Sequence, residues 1–179
     1  MKVLGLAGWS GSGKTTLLGT LIPALKARGL SVSTIKHAHR HFEIDHPGKD
    51  SFAHREAGAG EVLIASGGRW ALMHEPDPAA CPAGEPGLGD LLEKLSPVDL
   101  VLLEGFRGPA HHHPKIEVHR QANGKPFLFP DDPRIEALVS DGPPPDCALP
   151  IFDPDDPAPL ADFICARFGV DHGARPGRI

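Results

Sequence analysis

Hydrophobic positions along the chain follow two periods, which predict an alternation of strands and helices. Short runs that are continuously apolar, or apolar at every second position, predict strands at Lys2–Ala7, Ser31–Lys36, Asp99–Glu104, Lys115–His119, Ile135–Val139 and Leu149–Phe152. Apolar residues at helical spacing predict longer helices at Thr15–Arg28 and Pro157–Phe168, and short ones from a Ser51 cap to Ala57 and around Leu91 to Leu95. Strand, helix and strand in this order predict right-handed parallel units.

Two further apolar segments, Glu61–Ser66 and Arg69–His74, flank Gly67 and Gly68. Two strands around a Gly-Gly pair are typical of an antiparallel hairpin, which makes the predicted sheet mixed and offers an edge to cover or to pair with a second subunit. The pattern therefore predicts an α/β fold in three layers, with a mostly parallel sheet and an antiparallel hairpin. A single domain is expected over residues 1–168, followed by a frayed tail at 169–179.

Composition narrows the class of protein. The 179 residues carry a net charge of -5 and contain 6% aromatic residues with no tyrosine, a composition that argues against a nucleic-acid binder. The three cysteines are widely spaced without a C-x-x-C pair, and no apolar run approaches the roughly 18 residues of a membrane span. We expect a cytoplasmic protein with reduced thiols and no membrane contact.

The first strand and the first helix are joined by a match to the phosphate-binding loop pattern G-x-x-x-x-G-K-[ST]. Its backbone N–H groups and the positive end of the following helix would bind the phosphates of a nucleotide. Lys14 would reach the outer phosphates, the Thr15 hydroxyl would bind Mg²⁺, and Thr16 would contact an inner phosphate. The predicted binding residues are Gly8, Trp9, Ser10, Gly11, Ser12, Gly13, Lys14, Thr15 and Thr16.

Acidic residues at two places are candidates for the Mg²⁺ surroundings and for catalysis. Glu104 ends a continuously apolar strand, where a carboxylate would hold the metal through water or orient an attacking water; the alternative is a carboxylate that only ends the strand. Asp45 and Asp50 lie in the polar loop after the second strand, from which they would approach the metal opposite Thr15. For each of them the alternative is a solvated turn.

Other polar residues have weaker assignments. Asp141 ends the strand at Ile135–Val139 and would accept hydrogen bonds from guanine, or would simply belong to a turn, since the N-K-x-D box usual in GTPases is absent. Arg107 would contact phosphate or a partner, or be solvated. The histidines at 37, 39, 41 and 46 fit no closed zinc set, and we expect them to be solvated in a loop or to contact phosphate. For the run His111-His112-His113 we expect a solvated loop and not a metal site.

Three stretches together resemble the family of the molybdopterin-guanine dinucleotide biosynthesis protein B (MobB). They are Gly8 to Leu17, the loop from Lys36 through His37, His39 and Asp45 to Asp50, Arg55 and Ala59, and Leu103-Glu104-Gly105-Phe106-Arg107 followed by Pro114 to Glu117. The resemblance implies a P-loop NTPase-like fold, a homodimer, GTP and Mg²⁺ as ligands with molybdopterin as a further one, and a MobA-like guanylyltransferase as partner. It also implies that the loop of His37 and His39 faces the ligand, and that hydrolysis of GTP is slow at most.

The residues leave two other functions open. A small-molecule kinase would need a pocket for the phosphate acceptor and an arginine on a lid, and neither is identifiable in the sequence. A metallochaperone GTPase built on the histidines would bind zinc or nickel tightly. The triple histidine and the Pro-rich connection around Cys81 are not features associated with the MobB family.

Overall fold

The computed structural model describes residues 1–38, 42, 44–75, 86–106, 112–142, 144 and 147–169. The strands are β1 (Lys2–Ala7), β2 (Val32–Lys36), β3 (Glu61–Ser66), β4 (Arg69–His74), β5 (Leu100–Glu104), β6 (Lys115–His119), β7 (Ile135–Ser140) and β8 (Ile151–Phe152). The helices are α1 (Lys14–Ala27), α2 (Asp50–Glu56), α3 (Leu88–Glu93) and α4 (Pro157–Phe168), with a 3₁₀ helix at Gln121–Asn123.

The chain divides into two compact units. One contains Met1–His39 and Ser96–Ile179, and the other contains Arg40–Leu95. The sequence-based boundaries, one nucleotide-binding domain over 1–168 and a frayed tail at 169–179, stay a prediction. Apart from Gly169, that tail lies outside the described residues.

The first unit is built on a six-stranded sheet in the order β2-β5-β1-β6-β7-β8, and every strand pair in it is parallel. Strand β5 lies between β1 and β2, and its four leading residues are buried because nothing polar interrupts their apolar run. Parallel strands align their carboxyl ends, so the ends of β1, β5, β6 and β7 lie along one edge of the sheet. The α/β fold with a mostly parallel sheet is confirmed.

Helices α1 and α4 pack against each other and contribute to one hydrophobic core with the sheet. Leu21 and Leu25 of α1 and Leu160 of α4 are fully buried in it. A salt bridge of 2.6 Å between Arg28 Nε and Asp162 Oδ1 joins the two helices at their surface. Pro23 lies inside α1, as the sequence predicts.

The second unit contains the hairpin of β3 and β4, which pair in antiparallel register from Glu61 opposite His74 to Ser66 opposite Arg69. The hairpin is confirmed, but it forms a two-stranded sheet of its own, so the prediction of a mixed main sheet is wrong. Helix α2 contacts β3. The prediction of Ser51 as its cap is also wrong, because α2 begins at Asp50 and the extended Lys49 precedes it without a side-chain cap.

Strand β6 differs from its predicted pattern. The sequence alternation predicts that only Ile116 and Val118 point inward, yet all five residues of β6 are buried. The face of β6 that is not packed under the helices is covered by the chain after β6, which places buried charged and polar groups on that face. Lys115, Glu117 and His119 are the buried groups.

Candidate nucleotide-binding site

The loop between β1 and α1 holds a backbone conformation that its glycines make possible. Gly8, Gly11 and Gly13 have φ values of +143°, +78° and +92°, a region that side chains rarely adopt. At Gly8 the constraint is also steric, since a Cβ atom would clash with the carbonyl oxygen of Val118 and lie 2.6 Å from Ser12 Oγ. Where the loop passes the end of β6, its backbone conformation and its packing therefore both require glycine at position 8.

Lys14, the first residue of α1, bridges this loop. Its Nζ atom donates hydrogen bonds to the carbonyl oxygens of Gly8 at 2.9 Å and Trp9 at 2.8 Å, and lies 3.4 Å from Ser12 Oγ. Gly13 precedes it in the left-handed conformation without a side-chain cap, and the start of a helix is a favourable position for an anion. Ser10, Gly11, Thr15 and Thr16 are exposed at the surface of the loop. A positive charge and a set of amide donors thus lie within one short segment.

Thr15 and Glu104 meet at the edge of the sheet. The Thr15 hydroxyl donates to Glu104 Oε1 over 3.1 Å, and Lys36 Nζ lies 3.8 Å from Glu104 Oε2. These groups come from α1, β5 and β2, three elements that the parallel topology brings together. Hydroxyl and carboxylate oxygens are ligands suited to Mg²⁺, which keeps several waters and takes one or two protein groups beside phosphate oxygens. The donor set fits this ion.

The segment after β6 lies over the phosphate loop, a contact that the sequence does not reveal. Arg120 Nε is 3.6 Å from the position of a Cβ atom on Gly13, Asn123 Oδ1 is 3.7 Å from that of Gly11, and Trp9 Nε1 donates to the carbonyl oxygen of Pro126 over 2.8 Å. Arg120 is the first residue after β6, so its place beyond the end of a strand was a usable signal.

Asp141, at the end of β7, adjoins that segment. Its Oδ1 atom accepts the backbone N–H of Gln121 at 2.8 Å, and its Oδ2 atom lies 3.6 Å from Arg120 Nη1. The hydrogen bond from Gln121 and the charge of Arg120 lower the pKa of Asp141 below its usual value. Arg120 Nη2 also lies 3.5 Å from Asp155 Oδ1. The structure therefore joins Asp141 to an arginine beside the phosphate loop.

His37 lies directly after β2, next to the end of β5. Its backbone N–H donates to the carbonyl oxygen of Glu104 at 2.8 Å, and its ring centroid is 5.2 Å from that of Phe106. Gly105 has φ of +93°, and a Cβ atom there would lie 2.5 Å from the His37 carbonyl oxygen. His39, Arg107 and His111 lie outside the described residues. His112 is exposed, and His113 is buried beside Gly5.

Asp45 and Asp50 belong to the second unit. Asp45 is only 5% exposed, and its Oδ1 atom lies 3.2 Å from Arg55 Nη2; its Oδ2 atom accepts no hydrogen bond from the described residues. Arg55 also lies within 4 Å of Glu56 and Glu75. Asp50 is exposed in the first turn of α2. Their approach to the metal stays a prediction.

Buried charge on β6 is a further feature that the sequence analysis missed. The fully buried Glu117 accepts the backbone N–H groups of Leu128 at 2.8 Å and Phe129 at 2.9 Å, which fixes the chain after β6 against the sheet. Burial raises the pKa of Glu117, and the two N–H groups oppose that rise. Lys115 forms an ion pair of 3.0 Å with Asp132. The alternation of charged and apolar residues in β6 is typical of a half-exposed strand, so the sequence carried no signal for this second buried face.

No group of three or more His, Cys, Asp or Glu side chains is arranged to hold a metal ion within the part of the chain that the structure describes. Over the same residues, none of the helices is both long and apolar enough to cross a membrane.

The glycine-rich loop at the carboxyl end of a central parallel strand, with Lys14, Thr15 and Glu104 around it, defines a P-loop NTPase-like fold. Solved structures agree with this class. A structure titled as a MobB protein homologue from Bacillus stearothermophilus matches with a TM-score of 0.67 at 22% identity over 96% of this chain and 100% of that one. A structure titled as molybdopterin-guanine biosynthesis protein B matches with the same TM-score at 28% identity over 93% of this chain and 99% of that one.

Sequence comparison gives the family. The model of the MobB family, described as molybdopterin guanine dinucleotide synthesis protein B, matches residues 3–141. The molybdopterin-guanine dinucleotide biosynthesis adapter proteins of Haemophilus influenzae and Escherichia coli are 40% and 42% identical to this chain. The first alignment covers 98% of this chain and 94% of the relative, and the second covers 92% and 91%. The chain belongs to the MobB family.

Proposed function

We propose that this protein is a GTP-binding adapter in the biosynthesis of molybdopterin-guanine dinucleotide, and that it assists a MobA-like guanylyltransferase in attaching GMP to molybdopterin. One observation supports the nucleotide site above all others. Lys14 lies across a glycine loop at the start of α1 while Thr15 and Glu104 meet 3.1 Å apart beside it. The adapter role follows the printed names of the two relatives at 40% and 42% identity.

In this proposal each residue of the loop has a separate task. The N–H groups at the start of α1 bind the phosphates, and Lys14, held by two carbonyl oxygens, presents its ammonium to the outer ones. Thr15 and Glu104 hold Mg²⁺, Thr15 directly and Glu104 through water. The chemistry that this ion supplies is neutralisation of phosphate charge. His37 is proposed to contribute to the surroundings of the nucleotide, and the roles of His39, Arg107, Asp45 and Asp50 stay predictions from the sequence.

Slow hydrolysis of GTP is supported by the hydrogen bonds and ion pairs that Glu104, Arg55 and Arg120 already make. Glu104 is engaged by Thr15 and Lys36, Arg55 by Asp45, and Arg120 by Asp141 and Asp155. Rapid GTPases need a residue that orients the attacking water and an arginine directed at the transferred phosphate. A nucleotide that is held for long periods suits an adapter, whose binding to a partner then depends on occupancy.

A preference for guanine is supported by the Arg120 and Asp141 pair. An arginine donates to O6 and N7 of guanine, and a carboxylate accepts from N1–H and the 2-amino group. Asp141 uses one lone pair for Gln121 and one for Arg120, so lone pairs remain for the base. The pair lies beside Gly13 of the phosphate loop, and it replaces the missing N-K-x-D box in this proposal.

The phosphate site is tested by tryptophan fluorescence in a Trp70→Phe background, which leaves Trp9 in the loop as the only reporter. Addition of GTP and Mg²⁺ should change the signal, and Lys14→Ala should abolish the change. Lys26→Ala, at the far end of the same helix, is the matched control and should bind as the parent does. Retained binding by Lys14→Ala would show that the phosphates lie elsewhere.

The base contact is tested by Asp141→Asn, measured by titration with GTP and with xanthosine triphosphate. An amide in place of the carboxylate loses one acceptor for guanine and gains a donor for the 2-oxo group of xanthine. GTP affinity should fall about 10-fold to 100-fold, since hydrogen bonds to a charged group contribute roughly 1.5–3 kcal/mol, and xanthosine triphosphate should bind better. Unchanged GTP affinity would remove Asp141 from the site.

The partner is tested by pull-down of a MobA-like guanylyltransferase with and without GTP and Mg²⁺. The complex should form more readily with nucleotide, and Lys14→Ala should not respond to it. Failure to recover the complex under both conditions would count against the adapter role, but it would not contradict the nucleotide site.

We further propose that the protein works as a homodimer in the reducing environment of the cytoplasm.

A further inference from the structure

Residues 121–129, which we name the strap, follow β6 and lie against the phosphate loop. Trp9 Nε1, in the loop, donates to the carbonyl oxygen of Pro126 over 2.8 Å. The Asn123 amide lies beside Gly11, with Oδ1 3.7 Å and Nδ2 3.8 Å from the position that a Cβ atom would occupy there. The strap therefore contacts the loop along residues 123–126, and a nucleotide in the loop would have this segment as a neighbour.

The strap is anchored at its end before β7. The fully buried carboxylate of Glu117 accepts the backbone N–H groups of Leu128 and Phe129 at 2.8 and 2.9 Å. Hydrogen bonds to a charged acceptor are roughly twice as strong as those between neutral groups. The Phe127 ring also stacks on that of His119, at a centroid distance of 3.8 Å. This end of the strap therefore stays attached to β6 when weaker contacts break.

The middle of the strap is held by weaker contacts. Residues 124–127 form neither helix nor strand, and Gly124, Lys125 and Pro126 are exposed. Two hydrogen bonds from ring nitrogens hold this part in place: the Trp9–Pro126 bond, and a contact of 2.9 Å between His119 Nε2 and the carbonyl oxygen of Lys125. Breaking one neutral hydrogen bond changes an equilibrium only about 2-fold to 10-fold. The middle can therefore separate from the loop while the anchored end stays in place.

The contact between the strap and the loop is also incompletely satisfied. Asn123 Nδ2 is buried and has no hydrogen-bond acceptor among the described residues. An unpaired buried donor costs free energy, which exposure to water would recover. A cavity of about 220 Å³ is bordered by Trp9, Lys14 and Leu128, so the indole ring has free space on one side. The closed position of the strap is thus favoured only slightly, as a gate requires.

We propose that residues 123–126 open and close over the phosphate loop and set the rate at which nucleotide enters and leaves, with the Trp9–Pro126 hydrogen bond as the latch. The proposal rests on the proposed function, since it takes the phosphate loop as the nucleotide site. Trp9 acts here as a positioning residue, because its indole N–H holds the strap and not the nucleotide. Glu117 keeps the open strap attached to β6, so that it closes again.

A latch has a kinetic signature that a nucleotide contact lacks. It holds the strap closed whether or not nucleotide is bound, so its removal should accelerate association and dissociation alike and leave Kd within about twofold. Trp9→Phe should raise both rate constants about 2-fold to 10-fold, the effect of one neutral hydrogen bond. Stopped-flow fluorescence with methylanthraniloyl-GTP and Mg²⁺ measures association, and a chase with unlabelled GTP measures dissociation.

The variants are made in a Trp70→Phe background, which is itself the control for the loss of an indole and should have the rates of the parent. Trp70 belongs to the second unit and is 68% exposed. In a second variant, benzothienylalanine replaces Trp9, the only tryptophan left in this background. This replacement keeps the shape of the ring and exchanges the N–H group for sulfur. It should give the same rates as Trp9→Phe, because both lack the donor.

Unchanged rates in both variants would overturn the proposal. Faster dissociation with a Kd weakened in proportion would also overturn it, since the indole N–H would then contact the nucleotide directly. Faster rates in Trp9→Phe but not with benzothienylalanine would show that ring packing, and not the hydrogen bond, holds the strap, and would equally overturn it. No binding of labelled GTP by the parent would instead contradict the proposed function, and this proposal with it.

Discussion

At the scale of single residues, Gly8 in the phosphate loop and Gly19 in α1 differ in whether a side chain could be accommodated. Gly8 combines a positive φ with close contact to Val118 and Ser12, whereas Gly19, inside α1, has no heavy atom within 4 Å of the position that a Cβ atom would occupy and a φ outside the left-handed region. The motif identifies which glycines are present, but only the packing of β6 against the loop shows which one excludes a side chain. Gly8 and Gly19 therefore form a matched pair.

Gly8→Ala should lower the free energy of unfolding by roughly 2–4 kcal/mol, through backbone strain and the clash with Val118 and Ser12, and should abolish nucleotide binding. Gly19→Ala should raise the free energy of unfolding by about 1 kcal/mol, because alanine is the better helix former, and should leave binding intact. Urea unfolding and nucleotide titration measure both. A Gly8→Ala protein as stable as the parent would contradict the tight contact.

Asp132 provides a second prediction at this scale, through the pH dependence of stability. The Arg134 side chain is the largest cause that holds the pKa of Asp132 well below its usual 3.8, with Lys115 adding to it. A carboxyl whose pKa is lowered by folding stabilises the protein fully above its unfolded pKa, and this contribution is lost as the pH falls through and below 3.8. Asp132→Asn should cost about 2–3 kcal/mol at pH 7, because it leaves the buried Lys115 without its carboxylate.

The difference between parent and Asp132→Asn should narrow by about 1 kcal/mol at pH 3, as measured by urea unfolding at both pH values. Asp131→Asn, at the exposed neighbouring carboxylate, is the control and should change stability by less than about 0.5 kcal/mol. A constant difference across pH would show that the charge of Asp132 is not what stabilises this contact.

At the scale of elements, periodicity predicted the strands and helices because each buried face requires its own spacing of apolar residues. Strand β1, the two hairpin strands, β6 and α4 have the predicted bounds; α1 begins and ends one residue earlier than predicted, and the remaining strands differ by one or two residues at one end. The failures concern what an element packs against. The pattern of β6 predicts one buried face, and its second face is buried only because residues distant along the chain cover it.

Helix α4 gives the prediction at this scale. Asp156 precedes Pro157, and its Oδ1 atom accepts the backbone N–H of Ala158 at 3.1 Å, as expected of a cap. Asp156→Ala should cost about 1 kcal/mol of unfolding free energy, because that N–H loses its acceptor. Asp156→Asn keeps the capping oxygen and should recover most of this loss, as measured by thermal unfolding. Equal losses for both variants would mean that charge, and not capping, stabilises the helix.

At the scale of the whole molecule, one face of the hairpin of β3 and β4 exposes apolar side chains, and their contact with water is unfavourable in a monomer. Leu63 lies opposite Leu72, and Trp70 lies on the same face of the hairpin, with 60%, 42% and 68% exposure. On the other face Val62 and Met73 are buried. An exposed apolar face on a two-stranded sheet is typical of an interaction surface, and it supports the proposed homodimer.

Leu63→Lys combined with Trp70→Lys should convert the proposed dimer to a monomer, since two lysines would have to lose hydration in the interface. Light scattering across a range of protein concentration measures the change. Ser66→Lys, at the exposed tip of the same hairpin, is the control for added positive charge and should remain dimeric. A dimeric double variant would place the interface on another surface.

The sequence by itself determined the local features: the strand and helix order, the hairpin turn and the phosphate loop, because periodicity and a contiguous motif act over a few residues. It also identified Glu104 as the acid at the end of an apolar strand, and the structure brings that acid to the hydroxyl of Thr15. Only the tertiary structure decided that Arg120 lies beside Gly13 and that Lys115, Asp132 and Arg134 share one cavity. Such contacts depend on which strands become neighbours in the sheet. The spacing of residues along the chain does not predict them, because side chains that meet across a parallel sheet come from distant parts of the sequence.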